Sequence, residues 1–395
     1  MLFKCLISKR LTSNFYFDMN TTFDKIRPFY DSEIQDALQS IMHDPMMKAI
    51  MHFTFPDMTE GEWMEKLKHI HSTDEFQVNI VYQALQQVLA KSSEGLTSSG
   101  FEKLDKHTAY LFISNHRDII LDTSLLNLTL CDYGMMLTAS AIGDNLVKKP
   151  FLYALSKINR NFLVQRGLSP RELLQSSKLM SDYIHQLLTV ENRSVWLAQR
   201  EGRTKDGNDA THPGVLKMLS LAAGKEDLVT FFKKLKIVPI SMSYEYDPTD
   251  SLKLPELLAN MKNEVYVKAE NEDFNTLQNG IMGQKKRIHI HAGNILNTEL
   301  DALAETPNAN QQIKALAQII DSQIIGNYTL WSTNYIAYDL LHKTPQYAAH
   351  YTAEEKEIFT KRLASKVDIE DHECVERFLA MYANPVVNKM GGLEL

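Results

Sequence analysis

The first patterned stretch of the chain is helical in character. Between residues 30 and 92, apolar side chains recur at the spacing of one helix face; Ile34 and Leu38 are an example. We therefore predict a helical N-terminal region over residues 1–94. Within it, residues 1–18 show no periodicity and are predicted to be disordered.

The pattern changes after residues 95–100, a Gly- and Ser-rich segment that we predict to be a linker. Short apolar or alternating runs now separate amphipathic helical segments. The predicted strands are 109–114, 134–140, 161–166, 194–200, 236–244, 265–270 and 287–291. The best marked helix has a capping box, Ser169 and Glu172, with Pro170 at its first position. This alternation predicts an α/β domain over residues 95–300, with a mixed, largely parallel sheet covered by helices on both faces.

The last part of the chain is helical again. We predict that residues 301–395 form a helical extension packed on the α/β domain. An apolar stripe runs over 313–324, and Gly326 stands where a C-terminal cap is expected. Thr352 and Glu355 form a capping box that opens a final helix.

Composition narrows the class of protein. The chain has 395 residues, of which 44% are hydrophobic and 23% charged, as in ordinary globular proteins with large cores. A formal net charge of −7 argues against a broad nucleic-acid-binding surface. Three cysteines are too few for a disulfide framework, which favours a cytoplasmic location. No apolar run is long enough to span a bilayer. Peripheral contact with a membrane surface stays open, with Lys148 and Lys149 beside Phe151 as the candidate patch.

Histidines raise the question of a metal site. Two His-x-His pairs occur, His69 with His71 and His289 with His291. Neither pair has a cysteine or a further ligand at the spacing of known metal sites, so we expect no metal. Alternating histidines on a strand more often line a face toward solvent or a pocket.

The segment 112–127, FISNHRDIILDTSLLN, carries the strongest chemical signal. A strand is predicted to end at Ser114, a polar turn presents His116, and an amphipathic helix begins near Asp122. A carboxylate that fixes the tautomer of a histidine makes that histidine an effective general base. Alternatively, Asp122 is an ordinary helix N-cap.

Three further predicted strands carry polar or turn-forming residues at the same edge. In chain order these residues are Arg166, then Glu201, Gly202, Arg203 and Lys205, and then Pro239. Because the carboxyl ends of parallel strands meet at one edge of a sheet, these residues are expected to build one site. The basic residues favour a substrate that bears phosphate or another anion.

Together these four segments resemble the sequence blocks of the glycerolipid acyltransferase superfamily, which includes the glycerol-3-phosphate and 1-acylglycerol-3-phosphate acyltransferases. NHRDIILD resembles the block with a histidine and an aspartate, and GDNLVKKPFLYALSKINRNFLVQRG resembles a second block that ends in a phosphate-contacting arginine. QREGRTKDG and IVPISMSYE resemble the third and fourth blocks. The resemblance covers roughly residues 95–295. The matching residues are His116, Arg166, Glu201, Gly202, Arg203 and Pro239.

The resemblance implies transfer of a fatty acyl group from acyl-CoA or acyl carrier protein to a hydroxyl of a glycerol-phosphate-like or lyso-lipid acceptor. His116 would be the general base, with no metal or prosthetic group. Arg166 and Arg203 would hold the anion of the acceptor, and Glu201 its hydroxyls or the arginines; Gly202 and Lys205 belong to the same substrate-binding block. An inactive lipid-binding relative, or an acyltransferase that makes amino-acid lipids, would show the same pattern.

The position of the aspartate departs from the family pattern. The family places it five residues after the histidine, where this chain has Leu121. Asp118 lies in the turn, where an aspartate readily accepts hydrogen bonds from nearby backbone N–H groups. Asp122 opens the next helix and can fold back toward His116. We therefore predict that Asp122, rather than Asp118, orients His116.

Overall fold

Seven strands form a single mixed sheet in the computed structural model, which describes residues 21–391. Residues 1–18, predicted to be disordered, lie outside the described residues. The strand order is β1-β7-β6-β2-β5-β3-β4. The strands are β1 (Ser93–Ser99), β2 (Leu111–Ser114), β3 (Ala139–Gly143), β4 (Asn161–Val164), β5 (Val195–Ala198), β6 (Ile237–Tyr244) and β7 (Lys286–Ala292).

Strand direction divides the sheet into two parts. The five strands β2 to β6 are parallel to one another, whereas β7 is antiparallel to β6. At the edge, β1 is parallel to β7. The carboxyl ends of the five parallel strands consequently meet at one edge of the sheet. The predicted fold class, a mixed and largely parallel α/β sheet, is confirmed.

The helices nearest the N-terminus form a core of their own together with α7. In the described chain the first five are α1 (Ile34–Ile41), α2 (Pro45–Thr54), α3 (Glu60–Lys68), α4 (Thr73–Phe76) and α5 (Tyr82–Ser92), with a π-helical turn, Gln77–Val81, between α4 and α5. Their shared core includes Met47, Trp63 and Phe76, and α7 adds Phe151 and Ile158. The division of the chain into three regions stays a prediction.

Helices cover both faces of the sheet. Alternation along β2 sends Phe112 toward α5 and α6, and Ile113 toward the opposite layer, which contains α8, α9, α10, α13 and α14. The helices from the centre of the chain are α6 (Leu121–Asp132), α7 (Pro150–Ile158), α8 (Pro170–Thr189), α9 (Pro213–Ser220), α10 (Leu228–Lys234), α11 (Asp250–Met261), α12 (Glu272–Met282) and α13 (Asn297–Ala302). The capping box predicted at Ser169 begins α8.

The C-terminal helices are α14 (Ala309–Gly326), α15 (Ser332–His342), α16 (Ala353–Lys366) and α17 (His372–Gly391). The core of the last three includes Ile336, Phe359 and Phe378, and they pack against Leu254 of α11. The predicted capping box opens α16, but this is not the final helix, because α17 follows it.

Two predictions about strands are wrong. The predicted linker at 95–100 belongs to β1, an edge strand whose sequence SEGLTSS is mostly polar because its outer face is open. Conversely, residues 265–270 form no strand. Val265 and Val267 are 90% and 81% exposed, and no strand within residues 21–391 pairs with this segment. In addition, the second predicted strand, 134–140, lies at Ala139–Gly143.

Candidate active site

His116 lies in the loop between β2 and α6, at the carboxyl edge of the sheet. Its Nδ1 atom is 2.8 Å from Oδ2 of Asp122, which stands in the first turn of α6. The imidazole is also edge-on to the indole of Trp196, at a centroid distance of 5.5 Å. Trp196 is itself fixed by donating a hydrogen bond from Nε1 to the hydroxyl of Ser114 at 2.9 Å. The ring therefore has a defined orientation.

The carboxylate of Asp122 is fully buried and accepts hydrogen bonds from several directions. Oδ2 accepts from the backbone N–H of Arg117 at 2.6 Å and of Asp118 at 3.1 Å, besides facing His116. Oδ1 accepts from the hydroxyl of Tyr244, which ends β6, at 2.8 Å. An acceptor carboxylate at Nδ1 requires the proton on that nitrogen. Nε2 of His116 then carries the lone pair that a general base needs.

Asp118 has a different environment. Its Oδ1 accepts from the backbone N–H groups of Ile120 at 3.0 Å and Leu121 at 2.9 Å, so it caps the start of α6. Its Oδ2 is buried and has no hydrogen-bond partner within residues 21–391. Burial, reinforced by the neighbouring charge of Asp122, raises the pKa of Asp118. The structure thus places Asp122, and not Asp118, against His116.

Arg166 and Glu201 meet at the surface beside this edge. Arg166 follows β4 and Glu201 follows β5, and their side chains form an ion pair between Nη1 and Oε1. The side chain of Arg166 is 37% exposed and that of Glu201 78%, so the pair is open to solvent. Exposed ion pairs contribute little to stability. Each side chain can therefore leave this ion pair and bind a ligand at a small cost in free energy.

The loop that carries Glu201 is anchored to the loop that carries His116. The backbone N–H of Thr204 donates to the carbonyl of His116 at 2.8 Å. Gly202 adopts a positive φ of 72°, which a glycine accommodates readily. Nη1 of Arg203 is buried and has no hydrogen-bond partner in the described part of the chain. Lys205 instead pairs with Glu256 of α11, at 2.6 Å.

The C-terminal helix α17 supports the far end of the same loop. Nδ2 of Asn384 donates to the carbonyl of Asp206 at 2.7 Å. Gly207 has a φ of 81°, and a β-carbon there would lie 2.4 Å from the carbonyl oxygen of Met381. The close approach of loop and helix therefore requires glycine.

Sequence reasoning missed a buried network behind His116. Nη2 of Arg117 pairs with Oδ2 of Asp209 at 2.5 Å, and the hydroxyl of Tyr328 also donates to Asp209. Asn115 exchanges two hydrogen bonds with the backbone of Met242, at 2.9 and 2.8 Å. Burial raises the pKa of Tyr328 well above its ordinary value, so its hydroxyl stays protonated. Asn115 and Arg117 flank His116 in the sequence, which is a usable signal, whereas Asp209 and Tyr328 carry none.

Of the three residues predicted to form a membrane-contacting patch, only the two lysines are at the surface. Lys148 and Lys149 are exposed, but Phe151 is 4% exposed and belongs to the N-terminal core. Nζ of Lys149 lies 4.5 Å from the centre of the Phe274 ring. Phe151 was therefore wrongly placed in this patch, because it faces inward from the first turn of α7.

Within residues 21–391, the His, Cys, Asp and Glu side chains form no group of three or more that could hold a metal ion. Over the same residues, no helix combines the length and the apolar character needed to cross a bilayer.

Comparison with known proteins gives a limited result. No family model and no curated protein match the sequence. Among solved structures, the chain is similar to the 1-acyl-sn-glycerophosphate (LPA) acyltransferase PlsC from Thermotoga maritima. The two share 12% identity, with 73% of this chain and 91% of the other covered and a TM-score of 0.35. At this level the similarity carries no information on substrate or mechanism.

Proposed function

We propose that the protein is an O-acyltransferase. It would move a fatty acyl group from acyl-CoA or acyl carrier protein to a hydroxyl of a glycerol-phosphate-like or lyso-lipid acceptor. The observation that carries the proposal is the contact of His116 with the buried carboxylate of Asp122, at the edge where the four family-like segments meet.

The chemistry follows from the lone pair on Nε2 of His116. As the hydroxyl oxygen of the acceptor attacks the thioester carbonyl carbon, its proton passes to Nε2. Asp122 stabilises the imidazolium that forms. When the carbon–sulfur bond breaks, the thiolate takes that proton and leaves as a thiol. Atoms and charges balance without a covalent acyl-enzyme.

The acceptor would be held through its anion. Nη1 of Arg203 is a buried donor without a partner among residues 21–391, and such a donor is costly unless a ligand accepts its hydrogen bond. The guanidinium of Arg166 offers a second donor, with Glu201 beside it for hydroxyl groups of the acceptor. Lys205 and Gly202 complete the loop. On this proposal the reaction takes place in the cytoplasm, with peripheral contact to the membrane that holds the lipids.

The test is product formation by the purified full-length chain. Acyl-CoA and, in a parallel series, acylated acyl carrier protein are offered with glycerol 3-phosphate, a panel of lyso-lipids and amino alcohols, and acylated products are detected by mass spectrometry. His116→Ala is expected to lower turnover by about 10²–10⁴-fold, because it removes the general base. The matched control is His107→Ala, an exposed histidine away from the site.

Absence of product from every acceptor would contradict the proposal and favour an inactive lipid-binding relative. Near wild-type turnover in folded His116→Ala would exclude the mechanism. Acylation confined to amines would favour an acyltransferase for amino-acid lipids.

A further inference from the structure

A second polar cluster lies on the two outer strands of the sheet, apart from His116. It consists of Thr97 and Ser99 on β1 and His289 and His291 on β7, and we call it the β1–β7 histidine cluster. Thr97 is opposite His289, and Ser99 is opposite His291. Ile288 and its alternate neighbours on β7 enter the core on one face, so the histidines occupy the other face. The two histidines and Ser99 are half-buried and Thr97 is exposed, which leaves the cluster open to solvent.

When the Thr97 hydroxyl donates to Ile288, the directions of the other hydrogen bonds at His289 follow. The hydroxyl of Thr97 donates to the carbonyl of Ile288 at 3.2 Å, so its oxygen accepts the proton on Nδ1 of His289, at 2.8 Å. In the neutral imidazole, Nε2 of His289 then carries a lone pair. That lone pair faces the hydroxyl of Ser99 at 2.9 Å. Ser99 in turn lies 2.8 Å from Nδ1 of His291.

Two ring nitrogens therefore converge on one oxygen atom. Nε2 of His289 and Nδ1 of His291 are separated by no more than the sum of their distances to Ser99 Oγ. Zinc binds imidazole nitrogen at about 2.0–2.1 Å, so an ion shared by the two nitrogens requires both rings to move inward from the positions that they hold around Ser99 Oγ. A histidine that ligates a metal commonly donates its other N–H to an oxygen that fixes the ring. In the arrangement described above, His289 already donates its Nδ1–H to the hydroxyl oxygen of Thr97.

We propose that the β1–β7 histidine cluster is an open binding site for one divalent transition-metal ion of borderline softness, such as Zn²⁺. His289 Nε2 and His291 Nδ1 are the protein nitrogen ligands, and the hydroxyl of Ser99 and solvent complete the coordination. Imidazole suits zinc, copper and nickel better than it suits calcium or magnesium. Ser99 could not be assigned from the sequence, because it lies 190 residues from His289.

The charges around His291 are mixed and limit the affinity. Glu102 favours a cation there, whereas Lys103 and Lys389 oppose it. The ligands belong to two strands, so a bound ion would connect β1 to β7. A ligand that binds only the folded chain stabilises it. The site is independent of the proposed acyl transfer, because none of its residues belongs to the loop or helix around His116.

The experiment titrates ZnCl₂ into the untagged full-length chain by calorimetry and follows thermal unfolding with and without Zn²⁺. We expect one ion per chain and a higher Tm with Zn²⁺. His289→Gln and His291→Gln should each weaken binding at least about tenfold and abolish the rise in Tm. Thr97→Val, which alters only the orienting hydroxyl at an exposed position, should weaken binding by about 10–100-fold.

The chain supplies its own control in His69 and His71, which have the same spacing. His69 is exposed and faces Glu65 at 3.3 Å, so this pair lacks the convergence described above. The double variant His69→Gln/His71→Gln is expected to bind Zn²⁺ as wild type does. The proposal is overturned if the wild type binds no ion, if His289→Gln binds as tightly as wild type, or if the His69/His71 variant loses binding.

Discussion

Asp118 and Asp122 are four residues apart, but their carboxylates have different partners in the loop between β2 and α6. Asp122 faces His116 and is held by two backbone N–H groups and by Tyr244, whereas Asp118 caps α6 and keeps one buried oxygen without a partner in the described residues. The difference arises because the first turn of α6 directs the side chain of Asp122 back over the loop. One local segment therefore contains both the proposed base, His116, and the carboxylate proposed to orient it.

Asparagine substitutions compare the two aspartates directly. Asp122→Asn keeps the shape but lacks the charge that stabilises the imidazolium, so turnover should fall by about 10²–10⁴-fold. Asp118→Asn retains the oxygen that caps α6, and turnover should stay within about tenfold of wild type. Steady-state rates of both variants, with circular dichroism to verify folding, provide the measurement. The opposite ranking would assign the orienting role to Asp118.

Arg166 provides a test of anion binding. Removal of one charge-assisted contact costs roughly 1.5–3 kcal/mol, so Arg166→Ala should raise the KM for a phosphate-bearing acceptor by about 10–100-fold. Turnover at saturation should change less, because the contact exists in both ground and transition states. Arg171→Ala is the matched control, since Arg171 is an exposed arginine in the first turn of α8. An unchanged KM in Arg166→Ala would make this arginine an ordinary surface charge.

The site residues that could not be predicted from the sequence are those that long-range contacts bring next to His116. His116 and Asp122 share one segment, so their pairing could be predicted from helix geometry. Asp209 lies 92 residues from Arg117 and 119 from Tyr328. With no local pattern to connect them, only the folded chain shows that they form a network.

At the scale of elements, the loop over residues 200–209 lies between the loop of His116 and helix α17. The backbone N–H of Thr204 donates a hydrogen bond to the loop of His116, and Asn384 of α17 donates one to the carbonyl of Asp206. The C-terminal extension thus contributes to the site indirectly, by holding a loop that contains Glu201 and Arg203. The sequence pattern of residues 301–395 predicts packing on the α/β domain but gives no indication of this support.

Gly207→Ala should disturb this support. The new methyl group would meet the carbonyl of Met381 and would sit at a φ of 81°, so loop and helix must separate. We expect a lower Tm and a higher acceptor KM. Gly134→Ala is the control, because Gly134 also has a positive φ, 67°, but its nearest neighbour would be Lys106 Nζ at 3.9 Å. Equal effects of the two substitutions on acceptor KM would exclude a role of α17 in supporting this loop.

Strand prediction succeeded where apolar residues were buried and failed where they were not. Strands β2, β4, β5, β6 and β7 have buried apolar positions that mark them in the sequence. The edge strand β1 is mainly polar, so its sequence predicts a linker. The segment 265–270 has strand-forming valines, yet no neighbouring strand is available to it. In both cases tertiary neighbours, and not the local pattern, decide the structure.

At the scale of the whole molecule, the five parallel strands bring four separate segments to one edge. A site assembled in this way depends on the sheet and on no single loop. The surface near it carries the exposed Lys148 and Lys149, despite the net charge of −7. Local charge, rather than total charge, would then govern contact with a membrane.

Membrane association is expected to be weak and sensitive to salt. Each lysine near an anionic surface contributes about 1 kcal/mol, and salt near 1 M shortens the screening length to about 3 Å. Co-sedimentation with phosphatidylserine vesicles should therefore fall with salt and with Lys148→Glu/Lys149→Glu. The control is Lys356→Glu/Lys361→Glu on α16, where both lysines are also exposed. Binding that persists through high salt would indicate an apolar anchor instead.

The position of β1 also affects the order of events during synthesis. In this sheet β1 has β7 as its neighbour, and Ser99 lies 190 residues before His289. At about 5–20 residues per second, β1 waits roughly 10–40 s on the ribosome before its partner is translated. An apolar strand left unpaired for that time would invite association with other nascent chains. The polar sequence SEGLTSS, the same feature that makes β1 resemble a linker, offers little apolar surface for such association before β7 is translated.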